Sequence, residues 1–231
     1  MERRALLIFA DSAHTDCRRR GWPAAFRILL ETHSFSFDRR PGFDAHWFTS
    51  RGCNRLVSPS IEVHLQEGAS FGQRLENAVE SLAQLGYQEI VIVGQDCPDL
   101  EPIDICQAFD LLDKHGLVLG PDHRGGCYLI GIHATDRKRM NGVRWQRNAD
   151  FCEIRRRFAD ESTFELPVKI DLDTFEDVWL LATSKSAFRW LAKALLESDQ
   201  LHAAFEDSFF QPYSAEQRIH WQLPPPAQRS L

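Results

Sequence analysis

The central part of this chain reads Val91-Ile92-Val93-Gly94-Gln95-Asp96-Cys97-Pro98-Asp99-Leu100. An apolar run that ends at a turn residue is typical of a buried strand. Asp96 lies just past the end of this run, and open α/β sheets bind ligands beyond the carboxyl ends of their strands. We therefore predict that Asp96 is a carboxylate of a metal or phosphate site. The alternative, which we favour for Asp99, is a cap of the helix expected to begin at Pro102.

Strands and helices alternate on both sides of this stretch. Apolar runs predict strands at residues 5–10, 45–49, 61–65, 89–94, 117–120, 127–132 and 166–170. Helical spacing and cap residues predict helices at residues 22–30, 71–85, 102–112, 148–159, 175–182 and 186–197. This alternation predicts an α/β fold with a single, mostly parallel sheet sandwiched by helices. We assign residues 1–198 to this domain and residues 199–231 to a C-terminal helical and aromatic extension.

The composition limits the classes of partner. The chain has 231 residues and a formal net charge of −6, which gives no reason to expect nucleic-acid binding. Its six cysteines show no C-x-x-C spacing, which argues against a zinc site. We expect a cytoplasmic protein with reduced thiols and no membrane span, because no apolar segment approaches the ~20 residues that cross a bilayer. Basic stretches at residues 1–58 and 137–157 suit either a phosphate-bearing ligand or solvated faces.

Three further segments carry residues suited to ligand binding: residues 171–174, 120–128 and 68–74. Asp171 and Asp173 precede a helix that Thr174 is expected to cap, and two alternating aspartates are more than a cap requires. If this turn faces Asp96, the aspartates could share a cation with it. The segment Gly120–Tyr128 contains paired glycines, which suit close approach of a ligand or an ordinary tight turn.

Two arginines stand near glycines in these segments. Arg124 precedes Gly125 and Gly126 and could contact a phosphate in bidentate fashion. Arg74 follows Gly68 near the start of a helix, where an arginine contacts an anionic ligand or serves as a structural anchor. These features together indicate an α/β enzyme with an acidic metal site, but they leave its reaction open.

The ordered motifs resemble one known family. They are Gln66-x-Gly68-x-x-x-Gly72-x-Arg74, Gly94-x-Asp96-x-Pro98-Asp99, Gly120-Pro121 with Gly125-Gly126-x-Tyr128-Leu129-Ile130-Gly131, Trp145, and Asp171-x-Asp173-Thr174-x-x-Asp177. The chain is thereby similar, over about residues 5–182, to bacterial glycosyltransferase-A-like proteins formerly known only as a domain of unknown function. That family is related to nucleotide-diphospho-sugar transferases and to the guanylyltransferases of deazaflavin and molybdenum cofactor synthesis.

The resemblance implies a nucleotide bound over the first strand and its loop. It implies an Mg²⁺ or Mn²⁺ ion held by Asp96, with Asp173 as the second ligand, which would neutralise a diphosphate leaving group or an attacked phosphate. Asp99 and Asp122 are candidates for deprotonating an acceptor. The candidate nucleotide contacts are Asp11, Arg18, Gly68, Arg74, Arg124, Gly125 and Gly126.

The chain also departs from the family pattern. The family's Lys-x-Pro-x-x-Gly-x-x-Lys-Thr-Arg pattern after the first strand is replaced by residues 11–20, which contain Arg18 but no lysine, proline or glycine. Arg124 stands where the family has an aspartate, which reverses the charge, and Cys127 stands in place of a tyrosine.

Three functions therefore stay open. The first is a metal-dependent transferase with a nucleotide-sugar donor and a small-molecule acceptor. The second is a nucleotidyltransferase that joins a nucleoside triphosphate to a small phosphorylated acceptor. The third is a non-catalytic binding or scaffold protein with the same fold. The aromatic extension is expected to fold over its own domain or to form a homodimer, with a surface for another protein as the alternative.

Overall fold

A computed structural model describes residues 3–11, 42–50 and 60–196 of the chain. Their strands are β1 Arg4–Phe9, β2 Asp44–Thr49, β3 Ile61–Leu65, β4 Glu89–Val93, β5 Leu117–Pro121, β6 Cys127–His133 and β7 Thr163–Glu165. Their helices are α1 Phe71–Gln84, α2 Pro102–Leu112, α3 Asp150–Arg157, α4 Phe175–Thr183 and α5 Arg189–Leu196, with a 3-10 helix at Ala134–Met140. The predicted helix at 22–30 and the predicted extension at 199–231 lie outside these residues.

The seven strands form one sheet in the order β3-β2-β1-β4-β6-β5-β7. Six of them run in the same direction, and β6 runs antiparallel to both of its neighbours, β4 and β5. The prediction of a single, mostly parallel α/β sheet is therefore confirmed. The antiparallel direction of β6 was not predicted, because the length of an apolar run carries no information on strand direction.

Apolar side chains from both faces of the sheet are buried under helices. On one face Leu7 packs in a cluster with residues of α1, including Val79 and Leu82. On the other face Leu6 and Ile8 pack in a second cluster with residues of α2. Near-continuous apolar strands are what a sheet covered on both faces requires. A third, smaller cluster joins α4 to α5.

Local signals in the sequence explain several of the boundaries. Ser70 caps α1, since its side chain accepts a hydrogen bond from the backbone N–H of Gln73 at 3.2 Å. Pro102 is the first residue of α2, as predicted. The cap of α2 is Glu101, whose N–H donates to the Asp104 carboxylate at 2.7 Å, so neither Asp96 nor Asp99 caps this helix.

The predicted strand at 166–170 is wrong in its position. The regular strand ends at Glu165, one residue before the predicted start. Pro167 has no N–H to donate, so a regular ladder cannot continue through it. The chain still follows β5, because Leu166 N–H donates to Leu119 O at 2.8 Å and Lys169 N–H donates to Pro121 O at 3.2 Å. This path leads residues 171–173 back towards β4.

No helix in the described part of the chain is long and apolar enough to cross a membrane.

Candidate functional site

A cleft of about 420 Å³ lies where β1 and β4 end. This volume falls within the range of small-molecule sites, ~300–1,000 Å³. Its walls come from the residues that follow β1 and β4, the first residues of β6, the loop before α3 and the segment after β7. In the described part of the chain its charged lining residues are six aspartates and one arginine: Asp11, Asp96, Asp122, Asp150, Asp171, Asp173 and Arg74. The cleft is therefore strongly acidic.

Asp96 lies in this cleft, three residues beyond the end of β4 at Val93. A Cβ atom added to Gly94 would come within 2.5 Å of Asp96 Oδ1, so the glycine leaves the room that this carboxylate occupies. The backbone of Asp96 is also fixed, because its carbonyl accepts the N–H of Leu172 at 2.8 Å. That hydrogen bond brings the Asp171–Asp173 segment beside Asp96. The two segments therefore lie next to each other, as they must if they are to share a cation.

Asp173 has a cationic partner in this structure. Its carboxylate pairs with the guanidinium of Arg124, which also contacts Asp177 Oδ2 at 3.1 Å. Asp177 in addition pairs with His123 Nε2 at 2.8 Å. Arg124 is thus brought to the aspartate cluster, although it does not itself line the cleft among the described residues. Arg124, the predicted phosphate contact, and Asp173, the predicted second metal ligand, therefore neutralise each other's charge.

The turn between β5 and β6 is organised around Asp122. Its Oδ1 accepts the backbone N–H groups of Arg124 at 2.6 Å and of Gly126 at 2.9 Å. Gly125 has φ +100°, and a Cβ there would lie 2.6 Å from the Asn148 carbonyl oxygen. Gly125 thus allows this turn to pack against the loop before α3, and Gly126 leaves room for the Asp122 carboxylate. Gly126 lines the cleft, whereas Gly125 does not.

Arg74 lines the cleft and is oriented by Gln66. Arg74 Nε donates to Gln66 Oε1 at 3.1 Å, and Gln66 Nε2 donates to the carbonyls of Ala10 at 3.2 Å and Phe48 at 2.9 Å. Gly68 does not line the cleft; with φ +142° it lies so close to α1 that its Cβ would be 2.8 Å from Arg74 N. The motif from Gln66 to Arg74 therefore ties β1, β2 and α1 together.

Gly72 and Trp145 of the recognised motifs also meet. A Cβ on Gly72 would lie 2.9 Å from Trp145 Cδ1, so the glycine lets the indole pack on the first turn of α1. Trp145 lines the cleft beside Phe71, with ring centroids 6.0 Å apart. An aromatic wall of this kind suits the flat face of a nucleobase or a sugar.

The remaining predicted residues divide between the cleft and its surroundings. Asp11 lines the cleft, and its carbonyl accepts a hydrogen bond from the buried Gln95 at 3.0 Å. Asp99 is not among the lining residues; its carboxylate accepts the Ser186 hydroxyl at 2.5 Å and its carbonyl accepts Lys169 Nζ. Arg18 lies outside the described residues.

Asp150 is a cleft residue that sequence reasoning missed. It lies at the start of α3, and its Oδ2 accepts the backbone N–H of Gln146 at 3.2 Å. Burial raises the pKa of Asp150 to about 6, against the hydrogen bonds from Gln146 and Arg147 that lower it. Two non-glycine residues of the preceding loop have positive φ, 64° at Gln146 and 54° at Asn148. Local strain of this kind clusters at functional sites.

The basic stretch at 137–157 is engaged within the fold. Arg137 pairs with Glu80 at 2.6 Å, and Arg139 pairs with Asp136, Asp160 and Glu161. None of the arginines in this stretch lines the cleft in the described part of the chain. The structure therefore accounts for several of these charges without a phosphate ligand.

The donor set of the cleft fits a hard divalent cation. Mg²⁺ and Mn²⁺ prefer oxygen ligands, and a nucleotide-bound Mg²⁺ needs only one or two protein carboxylates because phosphates and water complete its coordination. Asp96 and Asp173 supply such carboxylates. Within the described residues, Asp96, Asp171 and Asp173 do not converge as a ready-made three-ligand group. A cation here would therefore depend on oxygen atoms from its ligand.

The sequence of the chain resembles one described family. Residues 40–147 match the profile of a family described as "Uncharacterized protein conserved in bacteria (DUF2064)". This confirms the resemblance stated from the motifs. No curated protein matches the chain.

Solved structures share the fold at low sequence identity. A Desulfovibrio desulfuricans G20 protein, provisionally described as a nucleotide-diphospho-sugar transferase, superposes with a TM-score of 0.69 and 21% identity over 90% of this chain and 96% of its own. The Mycobacterium tuberculosis H37Rv protein Rv0371c gives a TM-score of 0.58 and 16% identity over 79% of this chain and 99% of its own, and it has also been solved in complex with manganese. A Leptospira borgpetersenii cytidylyltransferase superposes with a TM-score of 0.55 and 13% identity, over 90% of this chain and 96% of its own. These likenesses show that the chain shares the α/β fold of these solved structures.

Proposed function

We propose that this chain, of which residues 40–147 match the DUF2064 profile, is a metal-dependent transferase that uses a nucleotide-sugar donor. The observation that carries the proposal is the acidic cleft, in which the described residues place six aspartates against one arginine. A phosphate-bearing donor would be repelled there unless a divalent cation accompanied it. A nucleoside diphosphate sugar carries fewer negative charges than a nucleoside triphosphate, so this charge balance favours the sugar donor.

Asp96 and Asp173 would hold the cation, which we propose to be Mg²⁺ or Mn²⁺. When bound, the cation would stabilise negative charge on the diphosphate leaving group. In the resting protein Arg124 neutralises Asp173. A metal-bound diphosphate offers each of them a new partner, so Asp173 would turn to the cation and Arg124 to a phosphate oxygen. Without a ligand, Arg124 is held next to the cleft by its two carboxylate partners, Asp173 and Asp177.

Asp150 is our candidate for the base that takes the proton of the acceptor. A base works best when its pKa lies near the working pH, and the pKa of Asp150 is raised to about 6. Asp122 also lines the cleft, but two backbone N–H groups occupy its Oδ1. Asp99 lies outside the cleft lining. The acceptor is expected to be a small molecule, since the cleft is of small-molecule size.

Ligand-induced stabilisation tests this function. Wild-type protein is heated with a panel of nucleotide-sugars and nucleoside triphosphates, each with Mn²⁺, with Mg²⁺ and with a chelator. A ligand at ~100 times its dissociation constant should add about 2.7 kcal/mol to the free energy of unfolding, and only when metal is present. Asp96→Asn should abolish this gain. Gly94→Ala should weaken it, because the added methyl group takes the place of Asp96 Oδ1.

Asp110→Asn is the matched control, since this aspartate lies on α2 with 76% of its side chain exposed and does not line the cleft. It should respond as the wild type does. The product then identifies the reaction: a glycosyltransferase releases a nucleoside diphosphate, whereas a nucleotidyltransferase releases pyrophosphate. If no nucleotide stabilises the folded wild type with either metal, the transferase proposal fails, and the non-catalytic function takes its place.

A further inference from the structure

Two histidines and a glutamate meet on the outer part of the sheet, away from the cleft. His46 lies on β2, and Glu62 and His64 lie on the neighbouring strand β3. The parallel register places His46 beside Glu62 and Phe48 beside His64, so all four side chains project from the same face. His46 is buried, His64 is partly exposed and Glu62 is exposed. None of the three lines the cleft.

The distances between their polar atoms suit ligands of one small cation. His46 Nδ1 lies 3.0 Å from His64 Nε2, and the Glu62 carboxylate oxygens lie 3.6 Å from His46 Nδ1 and 3.7 Å from His64 Nε2. The two glutamate distances are too long for hydrogen bonds. Zinc–nitrogen and zinc–oxygen bonds of ~2.0–2.2 Å in a tetrahedron separate neighbouring ligand atoms by about 3.3 Å. The three separations in this structure, 3.0, 3.6 and 3.7 Å, lie on either side of that value.

A hydrogen-bond relay fixes the ring of His46 in the orientation a metal requires. The Tyr87 hydroxyl donates to Asp44 Oδ2 at 2.7 Å, and Tyr87 Oη lies 2.9 Å from His46 Nε2. Since the hydroxyl has a single proton and gives it to Asp44, this contact needs a proton on Nε2 of His46. Its Nδ1 then carries a lone pair, and its nearest polar neighbour among the proposed ligands is His64 Nε2 at 3.0 Å. Metal-binding histidines are commonly held by such a partner on the opposite ring nitrogen.

We propose that His46 Nδ1, His64 Nε2 and the Glu62 carboxylate bind one transition-metal ion of the zinc class. This donor set of two imidazoles and one carboxylate suits zinc, whereas the all-oxygen set of the cleft suits Mg²⁺ or Mn²⁺. The cysteine spacing, which argues against a zinc site, does not bear on it, because the ligands are histidines from separate strands. The site is independent of the transferase proposal, and either can fail without the other.

An aromatic neighbour holds the ring of His64. Phe48 stacks on the ring of His64, with centroids 4.6 Å apart and an interplanar angle of 17°, and so restricts the second imidazole as well.

The test is a titration of the chelator-treated full chain with Zn²⁺ alone, against a chromophoric chelator. We expect one Zn²⁺ per chain. His64→Gln and Glu62→Gln, both at exposed or partly exposed positions, should weaken the affinity at least tenfold. Tyr87→Phe removes the relay but no ligand and should cost about 10–100-fold, as outer partners of metal sites do. Co²⁺ in place of zinc should give the intense visible absorption of a four-coordinate site.

His115→Gln is the matched control, because His115 hydrogen-bonds Ser162 at 2.7 Å and belongs to no such cluster in the described residues. It should bind Zn²⁺ as the wild type does. Asp96→Asn should also leave this affinity unchanged. The proposal is overturned if the wild type takes up no stoichiometric Zn²⁺, or if His64→Gln and Glu62→Gln bind it as tightly as the wild type and His115→Gln do.

Discussion

Burying the ionised carboxylate of Asp150 lowers the stability of the folded protein by an amount that depends on pH. In the unfolded chain its carboxyl has the ordinary pKa of 3.8, and in the folded protein burial raises this pKa to about 6. The folded state therefore binds the proton more tightly, and its stability falls as the pH rises from 3.8 through about 6. We predict that Asp150→Asn, which cannot ionise, is more stable than the wild type at pH 7.5 by about 1–2 kcal/mol, a value reduced for partial solvent screening.

Urea unfolding of both proteins between pH 4 and pH 8 measures this difference. The advantage of the variant should grow as the pH rises and level off above pH 6. Asp110→Asn should run parallel to the wild type throughout. Parallel curves for Asp150→Asn as well would show that this carboxyl is not perturbed by folding.

The sequence could predict a place in the candidate site for residues that follow a strand within a recognisable motif. It could not do so for residues that belong to no motif. Asp96 was predicted to belong to a metal or phosphate site because it lies just past the carboxyl end of β4, and Gly94 leaves the room that its carboxylate occupies. Asp150 belongs to no such motif; it enters the cleft because the loop before α3 folds back against Gly125. The approach of His46 to His64 depends on which strands are neighbours, which the pattern of a single sequence does not specify.

The first turn of α4 depends on one carboxylate. Asp177 Oδ2 accepts the backbone N–H groups of Asp173 at 2.9 Å and Thr174 at 2.7 Å, and the same carboxylate pairs with His123 and Arg124. Burial acts to raise the pKa of Asp177, but the hydrogen bonds from His123 and Thr174 and the charge of Arg124 together lower it. This residue therefore joins the helix start to the turn between β5 and β6.

We predict that Asp177→Ala lowers the free energy of unfolding by about 3 kcal/mol at pH 7.5, because it leaves Arg124 without one of its two carboxylate partners. A lowered pKa in the folded state means that this contribution is present above pH 3.8 and is lost as the pH falls further. Chemical unfolding should therefore show a large difference in the free energy of unfolding between the wild type and Asp177→Ala at pH 7.5. The difference should be small below pH 3.8. Glu176→Ala, at the exposed neighbouring position, should change either value by less than about 0.5 kcal/mol.

At the scale of elements, boundaries were predicted well where the chain carries its own stop signal. Strand β3 has its predicted bounds, and α1 begins after its predicted cap Ser70. The prediction failed where a partner decides the outcome, as in the segment 166–170, which follows β5 but cannot form a regular ladder through Pro167. The 3-10 helix Ala134–Met140 has a polar, basic sequence and gave no apolar period to detect.

The packing of α4 and α5 bears on the assembly of the whole molecule. Trp179 is 61% exposed and Trp190 is 64% exposed, although both belong to helices that pack together on their apolar faces. Exposed apolar side chains mark a surface suited to association where they form a contiguous patch. The chain continues beyond α5 into the aromatic residues 199–231.

We predict that the full chain is a homodimer through this extension and that residues 1–198 alone are monomeric. Light scattering coupled to size-exclusion chromatography measures both masses directly. Trp179→Ser combined with Trp190→Ser in the full chain should weaken the dimer if these side chains contribute to the contact. A monomeric full chain would contradict the homodimer and would leave two alternatives: an extension that folds over its own domain, or one that binds another protein.

The reversed direction of β6 has a consequence for how the molecule folds. β5 and β6 are joined by a short turn and pair antiparallel, so this contact closes a small loop of chain. β1 must pair with β4, far along the sequence, at a much larger cost in chain entropy. Contacts between residues close in sequence therefore cost less chain entropy than contacts between distant ones. The hairpin can therefore serve as the template on which β4 and then β1 assemble. The cleft, whose opposite walls come from the hairpin and from β1, becomes complete only when the last of these pairings closes.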